Sequence, residues 1–373
     1  MIPAYALDSH AAQDVVPDMA ANAARAARAE RMRLAMLARD LVRGDDLRID
    51  EARRTRMRAM LDDLVRTIEG RLRRDLGRRL EPAAPADLLR TLGDRTVPIA
   101  RPLLGYAGTL ADAELVAVLA RRVDEHRLVT QARIAATQDP ALVAHALFAD
   151  MLAHRDGDLA AAAGMVSTLA AARFGPFGEP ALDVSDLPDA VRHRLVWRVA
   201  AAIRHWIGRQ PDGADATTDR VLAAAAAAML ADMAMQPGLD DAALLLARAM
   251  LHAGLADDDA TVALAAEGQI AVAVAGLALR VGIGMPAAWD MVLNPDGAGL
   301  VLLLRAAGLA RPAAAALLLR WPDGTTPVER IGERISGYDA LPATAAHAAI
   351  DLHRLEPAYV AALHELDAGL ARS

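Results

Sequence analysis

The sequence predicts an all-α fold, an α-solenoid of short antiparallel helices with an N-terminal helical hairpin and a C-terminal helical array. Three observations carry that reading. About a quarter of the 373 residues are Ala, the best helix former and a poor strand former. Aromatic residues make up only 3% of the chain while 54% is hydrophobic, so the core is built from small and aliphatic side chains that let helices approach closely. Apolar residues recur at steps of three and four, in segments punctuated by Gly and Pro.

Residues 1–22 lack periodicity and read as a flexible tail. An Arg-rich hairpin follows over 23–81. Its first helix, 23–43, has Met32, Met36 and Leu37 on the apolar side and breaks at Gly44-Asp45-Asp46. Its second runs from Asp50 to Leu80, with Met57, Leu61, Leu64, Ile68, Leu72, Leu76 and Leu80 on one face and Arg on the other. Pro82 and Pro85 end it.

Helical repeats are predicted over 82–175, with short helices at 86–92, 96–106, 110–122, 124–136, 140–150 and 158–173. Thr109 suits an N-cap, Asp112 a first turn and Pro140 a helix start. Helices of this length, repeating in antiparallel pairs every 25–30 residues or so, are the pattern of a solenoid. The Pro- and Gly-rich loop 174–188 opens the C-terminal array, 176–373. Its helices are predicted at 188–208, 217–236, 239–254, 258–281, 285–293, 297–308, 311–320 and 342–354, with a last one from 357.

Several stretches carry a resemblance. Asp94-Arg-Thr-Val-Pro-Ile-Ala-Arg-Pro-Leu-Leu104 is followed by Leu110-Ala-Asp-Ala-Glu-Leu115, Glu125-His126 and Gln131-Ala-Arg133. Further on come Gly268-Gln-Ile-Ala-Val-Ala-Val, Ala288-Trp289-Asp290 before Asp296-Gly297, and Arg305-Ala-Ala-Gly-Leu309. This pattern resembles the bacterial family called domain of unknown function 2336, closely over 50–150 and more loosely over 240–320. The resemblance implies HEAT-like helical repeats and supplies no catalytic residue to carry over.

Composition excludes whole chemistries. There is no Cys, which removes disulfides, zinc–thiolate sites, iron–sulfur clusters and thiol nucleophiles. There is no Lys either, so all 41 cationic side chains are Arg and Schiff-base chemistry is absent. No G-x-S-x-G, Walker loop or strand-borne G-x-G-x-x-G occurs, and the His residues lack metal-ligand spacing. No catalytic residue, cofactor or metal is therefore expected. The start has no signal-peptide pattern, and charges or Pro interrupt every long apolar run, so a cytoplasmic protein with no membrane span is expected.

The net charge of −7 is uneven: residues 25–80 hold 17 Arg against 10 acids, and the rest is acidic. Two surfaces follow. In a solenoid the second helices of successive repeats line one face, so Arg101, Arg122, His126 and Arg133 are expected to converge on an acidic protein partner or phosphate. The competing reading has them cap helix ends or pair with Asp112, Asp124 and Glu125. The helix with Arg192, Arg194, Arg198 and Arg204 interleaves Arg with Trp197 and Trp206, which together with the hairpin is the alternative, nucleic-acid-binding face. The acidic body disfavours it. The expected function is a non-catalytic scaffold or regulatory adaptor that binds a protein partner, with homo-oligomers as one form; an enzyme or small-molecule sensor with a pocket between the two halves ranks third.

Overall fold

The computed structural model describes residues 51–80, 86–94, 96–138, 146–210, 215–294, 296–321 and 328–355, together with 359, 362 and 366. The expected tail, the 23–43 helix, Pro82 and Pro85, the Asp139-Pro140 start and most of the helix from 357 lie outside the described residues. Within them the chain is all-helical, without a strand; the one extended feature is an isolated bridge between Phe174 and Pro180.

In chain order the helices begin with α1 (Glu51–Leu80), α2 (Ala86–Gly93), α3 (Ala100–Tyr106), α4 (Ala113–Gln138), α5 (Leu147–Leu152) and α6 (Gly157–Ala172). After a 3₁₀ turn, Val184–Asp186, come α7 (Asp189–Ile207), α8 (Ala216–Ala234), α9 (Leu239–His252), α10 (Asp258–Ala266), α11 (Ile270–Val281) and α12 (Met285–Val292). The last are α13 (Ala298–Ala306), α14 (Arg311–Arg320), α15 (Val328–Ala340) and α16 (Ala343–Ile350), closed by a 3₁₀ turn at Asp351–Arg354. These helices form two compact units, each assembled from separated stretches of chain. One takes the described part of Met32–Val123 together with Thr168–Leu239; the other takes Asp124–Ser167 and the chain from Asp240 on.

The first unit is organised on α1. The seven apolar residues that define its stripe, Met57 to Leu80, are all buried. Met60 and Val65 widen that stripe, because α2, α3, α7 and α8 all pack on the same helix. Burial on so many sides also encloses charge: Glu69 and Arg73, one turn apart, are about 95% buried side chains joined at 2.8 Å. Glu69 accepts the backbone N–H groups of Ile99 and Ala100, both at 2.9 Å, which satisfies orphan donors at the start of α3. Arg73 donates to the carbonyls of Leu92 at 3.0 Å and Val97 at 2.8 Å, and to those of Thr91 and Asp94. One pair thus ties the end of α2 and the start of α3 to α1.

In the second unit α11 and α13 are buried along most of their length. Two boundaries there differ from the sequence expectation. The 258–281 helix divides into α10 and α11 at Gly268, whose φ of +79° ends the first helix and whose open side lies 3.1 Å from Arg133 Cγ. Helix α15 has no expected counterpart, since its Ile331, Ile335 and Tyr338 are spaced among Gly, Glu and Arg. Tyr338 is buried, donates to the Leu309 carbonyl and lies 5.2 Å beneath the Arg305 guanidinium. A third difference spans 113–138: the expected stop at Asp124 is absent, because no Gly or Pro interrupts α4. Its N-terminal cap is Asp112, which accepts from the Glu114 and Leu115 N–H groups at 3.2 and 3.3 Å.

By length and composition, Ala216–His252 is apolar enough to cross a membrane. It contains α8, whose Leu222, Ala225, Ala226, Met229 and Met233 are buried and which packs on α1 and α7, as the core helix of a compact unit does.

Two predictions follow from these buried carboxylates. Glu69→Ala leaves Arg73 buried without its counter-charge and should lower the unfolding free energy of the first unit by about 3–5 kcal/mol, read from denaturant midpoints. Glu267 accepts the Leu147 and Phe148 N–H groups at 2.7 and 2.9 Å, yet burial pushes its carboxyl above the usual Glu range, with Asp150 adding repulsion. A raised acid binds its proton more tightly in the native state, so its contribution falls as pH climbs from 4.5 through the folded-state value. Relative to Glu267→Gln, the wild-type chain should lose stability in urea titrations as pH rises from 4.5 through the folded-state value; a constant gap would refute the assignment.

Candidate functional site

A groove of about 830 Å³ lies on the first unit, between α1, α2 and α3. Its geometry descends from the buried Glu69–Arg73 pair, which sets the distance of α2 and α3 from α1. Gly70 and Gly77 on α1 have nothing within 4 Å of where a Cβ would stand, so this wall is open. Leu89, Leu92 and Pro98 give it an apolar side. Five Arg line the groove; Arg73 and Arg101 pair with its two carboxylates, Glu69 and Asp62, and Arg66 and Arg78 with neighbouring Asp63 and Asp75, so that Arg74 is the one lining cation without a described carboxylate partner.

These cations differ in availability. Arg73 is buried and committed to carbonyls. Arg66 pairs with Asp63 at 2.5 Å, both well exposed, and Arg78 pairs with Asp75. The Arg66–Asp63 pair exchanges readily with an incoming anion, since a pair exposed on both sides contributes only about 0–1 kcal/mol; Asp75 is more enclosed, leaving the Arg78 head as the exposed partner. Arg74 is exposed and makes no hydrogen bond or ion pair with any described residue. Arg101 reaches from α3 to Asp62 on α1 and stays partly exposed.

The residues expected to converge are distributed as follows. Arg101 lines the groove. Arg122 lies in the same unit but is buried, its Nε donating to the Ala181 carbonyl at 2.9 Å and its Nη2 to the carbonyl of Arg173, just past α6. His126 is buried and Arg133 is exposed at the surface; both belong to the other unit. Desolvation holds the Arg133 guanidinium below its usual pKa.

On the alternative face each Arg has an acidic neighbour. Arg192 is buried against Asp189 and the Ser185 carbonyl. Asp112 binds Arg194 at 3.0 Å and Arg198 at 2.9 Å, while Arg194 also reaches Glu114. Burial alone would raise the Asp112 carboxyl; hydrogen bonds from Arg194, the Leu115 amide and Arg198 outweigh it and hold it below the usual range. Arg204 pairs with Asp219 at 2.9 Å, and Trp197 donates to His193 at 3.0 Å. This face is therefore a lattice of ion pairs. Among the described residues no group of three or more His, Asp or Glu is arranged to hold a metal.

Sequence reasoning singled out Arg101 but not the groove around it. The signal was present in α1: a Glu and an Arg four apart beside the apolar stripe, and two Gly seven apart on an otherwise large-sided helix.

A family model described as an uncharacterised protein conserved in bacteria, DUF2336, matches residues 99–351. No curated protein and no solved structure matches the chain. The matched stretch includes Arg101, Arg122 and Arg173, while α1 and α2 precede it.

The position of Arg122 makes a local prediction. Arg122→Ala removes the donors that hold both ends of the 173–181 segment. The Ala181 amide, bonded to the Arg173 carbonyl at 3.0 Å, should then exchange its hydrogen about tenfold faster or more, while α1 amides keep their protection.

Proposed function

The chain belongs to the bacterial family DUF2336, and on that premise we propose that it is a non-catalytic scaffold or regulatory adaptor, cytoplasmic, that binds a protein partner in a groove between its helices. The observation that carries this reading is the Arg-lined groove of the first unit, where an apolar wall adjoins exposed Arg74 and the solvent-accessible ion pairs of Arg66, Arg78 and Arg101. An acidic segment with an apolar anchor complements both, the anchor against Leu89, Leu92 and Pro98 and its carboxylates facing Arg74, Arg78 and Arg101. The finer fold reading, HEAT-like repeats, draws support from α10 to α14, five short helices in which each packs on the next in sequence.

The nucleic-acid alternative has less behind it. Arg192, Arg194, Arg198 and Arg204 face carboxylates, and what remains for phosphate is the exposed Arg on α1.

Two labelled probes separate these readings: an amphipathic helix of about 20 residues with Glu on one face and Leu on the other, and a duplex of about 20 base pairs. Titrated with the full chain, the acidic helix should bind, and Arg74→Glu with Arg78→Glu should weaken it about tenfold or more. Duplex binding with a steep salt slope, and no binding of the acidic helix, would overturn the proposal in favour of nucleic acid.

A further inference from the structure

Phe177 is a large apolar side chain outside the core. It stands 95% exposed at the tip of the loop that follows α6. A lone exposed apolar residue needs no explanation in itself. Its mounting does. Gly178 N–H donates to the Gly175 carbonyl at 3.0 Å, closing a turn with Pro176 and Phe177 at its centre. Gly178 sits at φ +80°, a conformation only glycine adopts without strain. Gly175 N–H donates to the Glu179 carbonyl at 2.8 Å, and Phe177 N–H to the Glu179 carboxylate at 2.9 Å.

The base of the loop is fixed more firmly still. Buried Arg122 holds the carbonyls of Arg173 and Ala181, the residues on either side. Arg173 in turn pairs at 2.9 Å with Asp186, both side chains about 7% exposed, and Asp186 also accepts the Leu239 N–H at 3.1 Å. A buried ion pair, a buried guanidinium and a closed turn all serve to present one phenyl ring to solvent. Preorganisation of this kind removes the ordering cost that otherwise weakens binding, and aromatic anchors dominate interface energetics.

Two exposed carboxylates, Glu179 and Asp183, lie beside the anchor, whereas Asp186 and Asp189 are paired with Arg173 and Arg192. The surface that complements an apolar ring in an acidic setting is an apolar wall in a basic one, and the chain carries that surface itself in the α1–α3 groove. We propose that the occupant of the groove is a second copy of this chain: the 174–180 loop of one molecule docks into the α1–α3 groove of the other. Phe177 packs on Leu89, Leu92 and Pro98, and Glu179 faces Arg74 and Arg78. This rests on the groove being a partner-binding site, as proposed above. Loop and groove are different surfaces, so a two-fold arrangement in which each molecule's loop enters the other's groove uses the contact twice and closes as an isologous dimer.

The test is sedimentation velocity on the full chain from roughly 1 to 200 μM, which spans micromolar dissociation constants. Wild-type chain should self-associate more weakly as salt rises. Phe177→Ala and the Arg74→Glu/Arg78→Glu double variant, all at exposed positions, should each weaken association about tenfold or more. Mixed together, the two variants should form a heterodimer, because one retains its groove and the other its loop. A wild type that stays monomeric throughout, or a Phe177→Ala chain that associates as well as wild type, overturns the proposal. The acidic helix probe keeps the two readings apart: Arg74-dependent binding of that probe by a monomeric wild type removes self-docking and leaves the groove intact as a partner site.

Discussion

The first unit depends on a carboxylate and a guanidinium that α1 carries into its own core. Burying an ion pair is not inherently stabilising, because desolvation offsets attraction unless the remaining hydrogen-bonding capacity is used. Here it is used. Glu69 takes two backbone N–H groups and Arg73 gives to four carbonyls, so the pair replaces the water that the ends of α2 and α3 lose on packing. Short helices have a high proportion of orphan backbone groups, and a chain rich in Ala has few side chains able to satisfy them.

The same device recurs across the molecule. Arg122 serves the carbonyls beyond α6, Arg354 donates to Val281 at the end of α11, and Arg305 donates to Leu341 beyond α15. Arg280 combines an ion pair to Asp258 with a bond to the Ala256 carbonyl. Cations at helix C-termini also complement the negative end of the helix dipole. In this protein Arg thus does two jobs: some copies, from buried Arg73 and Arg122 to exposed Arg354, complete the backbone, and exposed ones on α1 line the groove, alone at Arg74 and in ion pairs at Arg66 and Arg78.

How much of this was legible in the sequence follows from the range of the signals. Element type was legible, because composition and periodicity act locally: α1 begins within a residue of its expected start, and α14 matches its expected span. The stop at Asp124 misled because an acidic residue suits a first turn and a helix surface equally well, and only a Gly or Pro would have separated the two. Gly268 did mark a break, but within an apolar run that looked continuous. Helix α15 stayed hidden because Tyr338 is buried by a hydrogen bond and a cation rather than by an apolar stripe. The groove was the least legible feature. Arg101 was visible as a charge, yet its neighbours come from α1 and α2, and their proximity is set by a pair whose partners lie 18 to 31 residues away along the chain.

The buried guanidinium–carbonyl clamps also constrain how the sequence can drift. Arg to Lys is the mildest exchange at most surface positions, and Arg74 or Arg79 can accept it at little cost. At Arg73 it is not mild: one ammonium has three donors and no planar fork, where four carbonyls and a carboxylate must be met. The same holds at Arg122, whose two acceptors sit side by side on an enclosed loop base. The absence of Lys therefore has two different meanings along one chain. At exposed positions it is a habit of composition, open to change; at the buried clamps it is a geometric requirement, and replacement there would have to be accompanied by repacking of the helix ends they hold.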